Sequence, residues 1–569
     1  MNELKDLIKC AKKGDPQAQY NLAEKFYTGI DVKQNYKKAI SWIKKAVKQG
    51  YAPAIYCLGA CYWKGTGVER DEKRAIELIT DSAEQGYTDA QYYLGRLYYY
   101  GKGVGQDYEK AVKWFEKAAE QDCDQAQYLL ALCYCNGQGV EENYEKAVEL
   151  CLKAAEKNNI DSQNLLGWCY ANGKGVEQSY EKAVEWYTKV AEQGLAEAQN
   201  ILGWCYANGK GVEQSYEKAA QLYTKAAEQG VADAQYRLGF MFYNGKGVDQ
   251  SYEKAAQLYT KAAEQGIAGA QYRLGLMFYG GKGVELNYEK AVQWFERAAE
   301  QGKMQAQSML GDCYYYGHGV EIDYEKAQIW YNKAAEQGYG NAIRAVGVSY
   351  AKGHGVEQSF KKAIELFKKA AEKGNSLALY DLGRCYYKGL GVKQNNKKAV
   401  EWFLKAAEKD NASAQCALGQ CYILGKGVEE DTAKGVYWLT KSAENGSADG
   451  QTILGLCYYC GTEGIQRDYT KAFFWFRKAA DQGLAKAQNL VGKSFYLGTG
   501  TVQNYKIAIE WFEKAGKQGD REALVSLGNC YFNGTGVLKN VDRAKKYWQK
   551  AAELGSQDAK DALKNHFGI

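Results

Sequence analysis

The sequence predicts an all-α fold, a solenoid of fifteen helix-turn-helix repeats with a 36-residue period. Three observations carry this. A Leu-Gly dipeptide recurs at Leu58, Leu94, Leu166, Leu202, Leu238, Leu274, Leu310, Leu382, Leu418, Leu454 and Leu527. Leu22 and Leu130 fill the same slot followed by Ala, and Val346 and Val491 fill it followed by Gly. Thirteen of the fourteen intervals are 36 residues, and the interval from Leu454 to Val491 is 37, with the extra residue in the Cys460–Gly464 loop. Second, one slot per repeat holds only Ser, Asp or Asn, from Asn35 and Asp71 to Ser251, Asn504 and Asn540. These side chains accept hydrogen bonds from free amides at a helix start. Third, the slot of Gly266 is Gly in twelve copies and Asp122, Asn158 or Asp410 in three. Gly, Asn and Asp best tolerate the left-handed conformation that ends a helix.

The elements follow in order. Residues 1–14 are expected to form an N-terminal capping helix, 15–555 the fifteen repeats, and 556–569 a C-terminal capping helix. Such ends are polar outside because a repeat array needs closed termini. In the copy around Leu238, Ala234, Leu238, Gly239 and Phe242 share one face of a first helix. The slot of Phe242 is aromatic in all fifteen copies. Asn244–Val248 is a glycine-rich loop. Ser251 caps a second helix with Ala255, Leu258 and Ala262 on its inner face. The Ala255 slot is Ala in fourteen copies and Gly435 in the other, which requires two backbones to approach closely. The Leu258 slot is Trp in nine copies, such as Trp114, Trp186 and Trp294. Glu185–Lys189, Glu365–Lys369 and Glu510–Lys514 are spaced to pair along the solvated face of the second helices. No single repeat buries its apolar face alone, so neighbours must stack. At roughly 10 Å per packed helix, the array is expected to span on the order of 150 Å. Residues 167–183 and 203–219 are identical, which reads as recent duplication without consequence or as two adjacent sites for a repetitive ligand.

Composition excludes several classes. The chain has 569 residues, more than one hydrophobic core organises. Lys+Arg is 74 against 68 Asp+Glu, a net charge of +6, too balanced for a nucleic-acid clamp or a polybasic membrane surface. Only two prolines, Pro16 and Pro53, occur beside 48 tyrosines, which permits many uninterrupted helices. No apolar run reaches the length of a membrane span. The start is amphipathic and charged, without a signal-peptide core, so a cytoplasmic protein is expected.

Catalytic and metal-binding signals are sparse. Nine of the sixteen cysteines share one slot, from Cys61 to Cys530, which other copies fill with Leu97, Met241, Met277, Ser349 or Ser494 and the first copy with Lys25. That mixture marks a packing position. Same-slot cysteines of neighbouring copies are expected one helix spacing apart, beyond disulfide reach. Cys457 and Cys460 form a C-x-x-C at a helix end, without the strand-to-helix context of a redox motif. His318 and His354 replace the loop lysine in consecutive repeats and read as exposed loop residues, and His566 lies in the terminal cap. Gly492-Lys493-Ser494 imitates the end of a phosphate loop, but the earlier glycine is Ala487 and the tripeptide falls mid-helix. No catalytic residue, metal ligand or cofactor site is assigned.

The motif A-x-A-Q-Y-x-L-G-x-x-Y-x-x-G-x-G-V followed by Y-x-K-A-x-x-W-x-x-K-A-A-E-Q-G is nearly complete around Leu94 and Leu274. With it the chain resembles the Sel1-like repeat family, a relative of tetratricopeptide repeats, over essentially its whole length. The resemblance implies a right-handed α/α superhelix and an adaptor or scaffold role. A cysteine-rich subfamily bridges its two helices through the second Ala of K-A-A and the Gln of A-Q. Here those slots hold, for example, Ala263 and Gln271, so that pattern is absent.

What remains is a surface. In tetratricopeptide-like arrays the first-helix slots two before, two after and five after the Leu line the concave groove. Five after lie Tyr27, Trp63, Tyr99, Tyr243, Tyr279, Tyr315, Tyr387, Tyr459, Tyr496 and Phe532. Trp168, Trp204 and Phe240 lie two after, and Tyr236 and Tyr272 two before. Aromatic side chains give large contact area at low entropic cost. Packing between neighbouring first helices is the competing role for the same rings. Arg344 and Arg384 would favour an acidic stretch of a ligand. The expected function is a protein- or peptide-binding scaffold without intrinsic catalysis, with no nucleic-acid partner and no membrane insertion. The rivals are a self-assembling structural protein and a binder or hydrolase of small molecules or cell-wall fragments. A secreted effector would use the same groove.

Overall fold

The computed structural model describes residues 2–462 and 465–568, without the side chain of Asn2. Glu463 and Gly464, where the loop of the 37-residue interval falls, and the end residues Met1 and Ile569 lie outside the described residues. Among the described residues there are 32 α-helices and no strand, with one isolated bridge between Thr462 and Ile465. The chain comprises two compact units, Met1–Leu286 and Asn287–Ile569. The first runs from the helix Asn2–Lys13 to Ala268–Gly280, and the second from Tyr288–Glu300 to Gln557–Phe567. Within each unit every helix packs on the helices before and after it in the chain.

Local chemistry sets the helix ends. All fifteen Ser, Asp or Asn caps are extended and accept from the backbone N–H three residues on, as Ser251 does from Lys254 at 3.3 Å. Asp122, Asn158 and Asp410 stand at φ 65°, 61° and 56°, doing at the end of the second helix what glycine does elsewhere.

The glycine of Leu-Gly has a packing reason that the periodicity does not disclose. A Cβ on Gly95 would lie 2.6 Å from the Phe115 ring, and one on Gly347 2.7 Å from Phe367. Phe115, Tyr187, Tyr223, Tyr259, Phe367, Phe403, Phe476, Phe512 and Trp548 are all buried in this second-helix slot. The two copies with Ala instead of Gly, Ala23 and Ala131, have the smaller Ile43 and Cys151 there. Glycine is thus needed where an aromatic ring crosses the first helix at van der Waals distance. The Trp column beside this slot is half-buried at most positions, with a basic side chain over the ring: Lys45 over Trp42 at 3.8 Å, Lys189 over Trp186 at 4.1 Å, Lys514 over Trp511 at 4.2 Å. This corrects the expected Glu–Lys pairs. Glu185–Lys189, Glu365–Lys369 and Glu510–Lys514 are not among the ion pairs of the described residues, because a ring one turn away offers two of these lysines a closer partner.

A glutamine relay joins successive helices. Gln235 Nε2 donates to Ala227 O of the preceding second helix at 3.2 Å, and its Oε1 accepts from Gln265 Nε2 of the following one at 2.8 Å. The same pairing recurs at Gln163–Gln193, Gln199–Gln229 and Gln307–Gln337. Where Ile343, Leu379 or Leu524 replaces the first glutamine, the second is Lys373, Lys409 or Leu554, whereas Ile55 is matched by Gln85 and Gln127 by Lys157. Gln271 and Ala263, the slots bridged in the cysteine-rich subfamily, are joined by a 3.1 Å hydrogen bond.

Candidate functional site

The first-helix aromatics are held by loop chemistry before they are available to a ligand. Tyr27, Tyr99, Tyr243, Tyr315, Tyr459 and Tyr496 each meet, edge to face, the tyrosine that opens the second helix of the same repeat, with centroids 5.1–5.4 Å apart. A loop glutamine fixes that pair: Gln250 Nε2 donates to Tyr243 O at 2.8 Å and to Tyr252 Oη at 3.1 Å. Tyr315 is buried. Trp63 meets Tyr93, Tyr387 meets Phe403, and Phe532 meets Trp548 and His566. Tyr272 and Tyr279 are half-buried. Most of this column is therefore engaged in ring contacts within the array.

The loop residue between the two glycines packs on the preceding repeat. Lys210 lies over Tyr180 at 5.3 Å and Lys246 over Tyr216 at 5.2 Å. Gly247, at φ 67°, abuts the Tyr216 backbone, which leaves no room for a side chain. His318 and His354 occupy the lysine position and stack on Tyr288 and Tyr324, at 4.9 and 4.3 Å. Both histidines are half-buried rather than exposed, and His354 Nδ1 is 2.9 Å from Tyr315 Oη. Among the described residues no group of three His, Cys, Asp or Glu is placed to hold a metal ion. The slot-sharing cysteines are buried and free, and burial pushes the Cys205 thiol up to about 11 and Cys133 up to about 12. Cys135, outside that slot, lies with Cys169 and Cys151 in one buried cluster. Gly492 sits mid-helix against Phe512, and the Ser494 hydroxyl donates to Leu490 O, so the phosphate-loop imitation is a packing site.

Three consecutive repeats depart from the tyrosine pattern. At five after the Leu they hold Cys135, Ala171 and Ala207, and at two after the Leu in the following repeats stand Trp168, Trp204 and Phe240. The larger side chain of the next repeat moves into space the tyrosine leaves. Trp168, 39% exposed, tilts over Tyr144 at 6.2 Å, and Trp204 is half-buried against the cluster containing Tyr170 and Ala171. Phe240 is smaller than tryptophan, and a cavity of about 310 Å³ remains beside Ala207. Tyr216, Tyr223, Tyr236, Phe240 and Met241 line it, with Arg237 and Lys246. Tyr236 lies against Tyr259 at 5.9 Å. Arg237 is engaged by Asp233 at 2.6 Å. Lys246 is exposed and has no ion-pair partner among the described residues. Burial pushes the Tyr223 phenol up to about 12 against the pull of Arg237.

In the second unit the corresponding face is charged. Arg344 Nε donates to Asp381 Oδ2 at 2.6 Å, and Arg384 lies 3.9 Å from the other oxygen of the same carboxylate. The two arginines read from the sequence as a basic region thus converge on a buried aspartate, Asp381, which the sequence reading did not weigh. Tyr331 Oη donates to Asp312 Oδ1 at 2.7 Å. Burial lifts the Asp312 and Asp381 carboxyls above the ordinary value, while Arg344 pulls both back. A smaller cavity of about 230 Å³ lies between Asp312, Arg344 and Tyr339.

Paired antiparallel helices at constant period, joined by glycine loops and a glutamine relay, define a helical repeat protein of the tetratricopeptide-like class. Within that class, a Sel1 repeat family model matches fifteen consecutive segments from 16–51 to 521–556, and the chain belongs to the Sel1 repeat family. The crystal structure of c5321, described as a protective antigen present in uropathogenic Escherichia coli strains displaying an SLR fold, is 33% identical, with 86% of this chain and 97% of that chain covered and a TM-score of 0.51. A Sel1 repeat protein from Oxalobacter formigenes is also 33% identical, over 53% of this chain and 87% of its own, with a TM-score of 0.38. The putative sel1-like repeat-containing protein L18 of Acanthamoeba polyphaga mimivirus is 56% identical over 36 residues, 6% of this chain and 6% of its own. Among the described residues no helix is long and apolar enough to cross a membrane.

Proposed function

We propose that this protein is a non-catalytic scaffold that binds a protein or peptide partner along its first-helix face, with Trp168, Trp204, Tyr236 and Phe240 as the main contacts. The observation that carries the reading is the aromatic cavity beside Ala207, whose lining joins four rings and a methionine to an unpaired lysine. Partner segments are recognised where large rigid rings sit beside a small number of oriented polar groups. The scaffold architecture agrees with an interaction role, and the helices Asn2–Lys13 and Gln557–Phe567 are read as caps that close the array. The tyrosines locked against second-helix partners, such as Tyr243 on Tyr252, shape the face rather than contact the ligand directly.

The test is site-specific photo-crosslinking in the source cell. A photoreactive residue replaces Asn208, exposed at the cavity, in one strain and Gln257, exposed on the second helix of the next repeat, in another. Crosslinking of a discrete polypeptide from position 208 and not from 257 is expected, and it should disappear when Trp204 and Phe240 are changed to Ala and Asp. Equal products from both positions, or insensitivity to those substitutions, would refute the reading. Products that contain only this chain would replace it by self-assembly.

A further inference from the structure

The repeats provide their own template for what belongs beside Ala207. In eight of the fifteen repeats the same position holds a tyrosine, and in two of them its packing into the corner between repeats is seen directly. Its hydroxyl reaches the loop residue 39 positions on: Tyr99 Oη meets Gln138 Oε1 at 3.1 Å, and Tyr315 Oη meets His354 Nδ1 at 2.9 Å. The residue 39 positions after Ala207 is Lys246, which lines the cavity. The corner therefore lacks the phenol that Tyr99, Tyr243 and Tyr315 supply in theirs, and its walls are the ones against which such a phenol packs. The chemistry at the far end differs. Gln138 and His354 can accept or donate, whereas an ammonium only donates and carries charge. Lys210, Lys246 and Lys282 follow one another at this loop position, each over a tyrosine, and none forms an ion pair among the described residues. Three ammonium groups without ion pairs therefore follow one another along that edge. About 310 Å³ is at the lower end of sizes that hold a ligand group, enough for one aromatic side chain with part of its backbone.

From this we infer that the cavity beside Ala207 receives one tyrosine side chain from an extended acidic segment of a partner protein, its hydroxyl directed to Lys246 and its flanking carboxylates to the loop lysines. The inference rests on the scaffold reading above and gives the partner's chemistry at one point of the face. It involves no covalent step. In this corner the residue at two after the Leu of the following repeat is Phe240. Trp168 and Trp204 lie in the preceding corners, beside Cys135 and Ala171.

The experiment uses the full chain and a fluorescent heptapeptide, Gly-Glu-Gly-Tyr-Gly-Glu-Gly, read by anisotropy. Controls carry Leu in place of Tyr, or Lys in place of both Glu. The decisive variant is Ala207→Tyr combined with Phe240→Leu, which reproduces the natural pairing of Tyr243 with Leu276. It should fill the corner, keep or raise the thermal midpoint, and weaken the Tyr peptide about tenfold or more. Lys246→Glu, a change at an exposed loop residue, keeps the test valid should the double variant fold poorly. It should weaken the Glu-flanked peptide by a similar factor and strengthen the Lys-flanked one. Equal binding of the Tyr and Leu peptides, or undiminished binding to a folded double variant or to Lys246→Glu, would overturn the inference. Persistence of the position-208 crosslink in the double variant would discard this pocket and leave the scaffold reading standing. Absence of that crosslink from the wild-type chain removes both.

Discussion

Residues 130–246 of the first unit and 308–387 of the second use one helical frame for two different faces. In the first stretch, large and small side chains exchange places between neighbouring repeats: Cys135, Ala171 and Ala207 are followed by Trp168, Trp204 and Phe240. In the second, the corresponding slots carry ionic groups: Tyr331 binds Asp312, and Arg344 and Arg384 share Asp381. The buried interior is nearly the same in both, with Ala198, Leu202 and Tyr223 in one and Ala342, Val346 and Phe367 in the other. The core therefore fixes the repeat, and the slots two before, one before, two after and five after the Leu are free to vary in chemistry.

The largest expected effect tests the shared interior. Gly347→Ala places a methyl 2.7 Å from the Phe367 ring and should destabilise the second unit by about 3 kcal/mol in chemical denaturation. Adding Phe367→Ile, which copies the natural Ala23–Ile43 combination, should recover most of that loss. The corresponding Gly239→Ala and Tyr259→Ile pair in the first unit should behave alike. If the two regions respond differently, the cores are not equivalent.

Next in size is the ionic face. Asp381→Ala leaves Arg344, 28% exposed, without its carboxylate and should cost about 2 kcal/mol. In the first stretch, Asp233→Ala opposite the more exposed Arg237 should cost under about 1 kcal/mol. Equal costs would remove the distinction between the faces.

A pH series sharpens the same contrast. Burial raises the folded-state carboxyls of Asp312 and Asp381 above the ordinary aspartate value. The folded protein then holds those protons more tightly than the unfolded chain. Their contribution to stability is fully present below the unfolded value and is lost as pH rises through the raised one. The thermal midpoint of the second unit should fall across that window, and Asp312→Asn should flatten the decline. An unchanged slope would show that Asp312 is not the group responsible.

The smallest effect concerns the exchange of sizes. Trp168→Leu should cost about 1 kcal/mol, since the ring is partly exposed, and Cys135→Tyr should restore it by supplying the tyrosine found in other repeats. Thermal denaturation of both variants checks this, and failure of the second change to compensate would mean the two positions do not share one space.

How far each feature was legible follows from the range of the interaction behind it. Ser251 with Lys254 N–H, or Asn158 at positive φ, involves residues within one turn, so a residue type at a fixed offset suffices to read it. The Gly239–Tyr259 contact and the Gln235–Gln265 bond span 20 and 30 residues and were not read, although Ala23 with Ile43 and Leu524 with Leu554 left a trace of covariation. The stripe of candidate aromatics was found in the sequence, but its division into locked tyrosines and open rings was not. Asp381 was missed because it lies one residue from the stripe while its partner Arg344 belongs to the preceding repeat.

The sequence by itself determined the period, the number of repeats, the helix starts and stops and the family, because each depends on local backbone preferences repeated fifteen times. Only the tertiary structure decided which rings are spent on internal packing, where two arginines meet one carboxylate and where a corner stays open beside Ala207. Those outcomes depend on side-chain volumes meeting across neighbouring repeats, where a single exchange of Trp for Phe turns a filled space into a cavity.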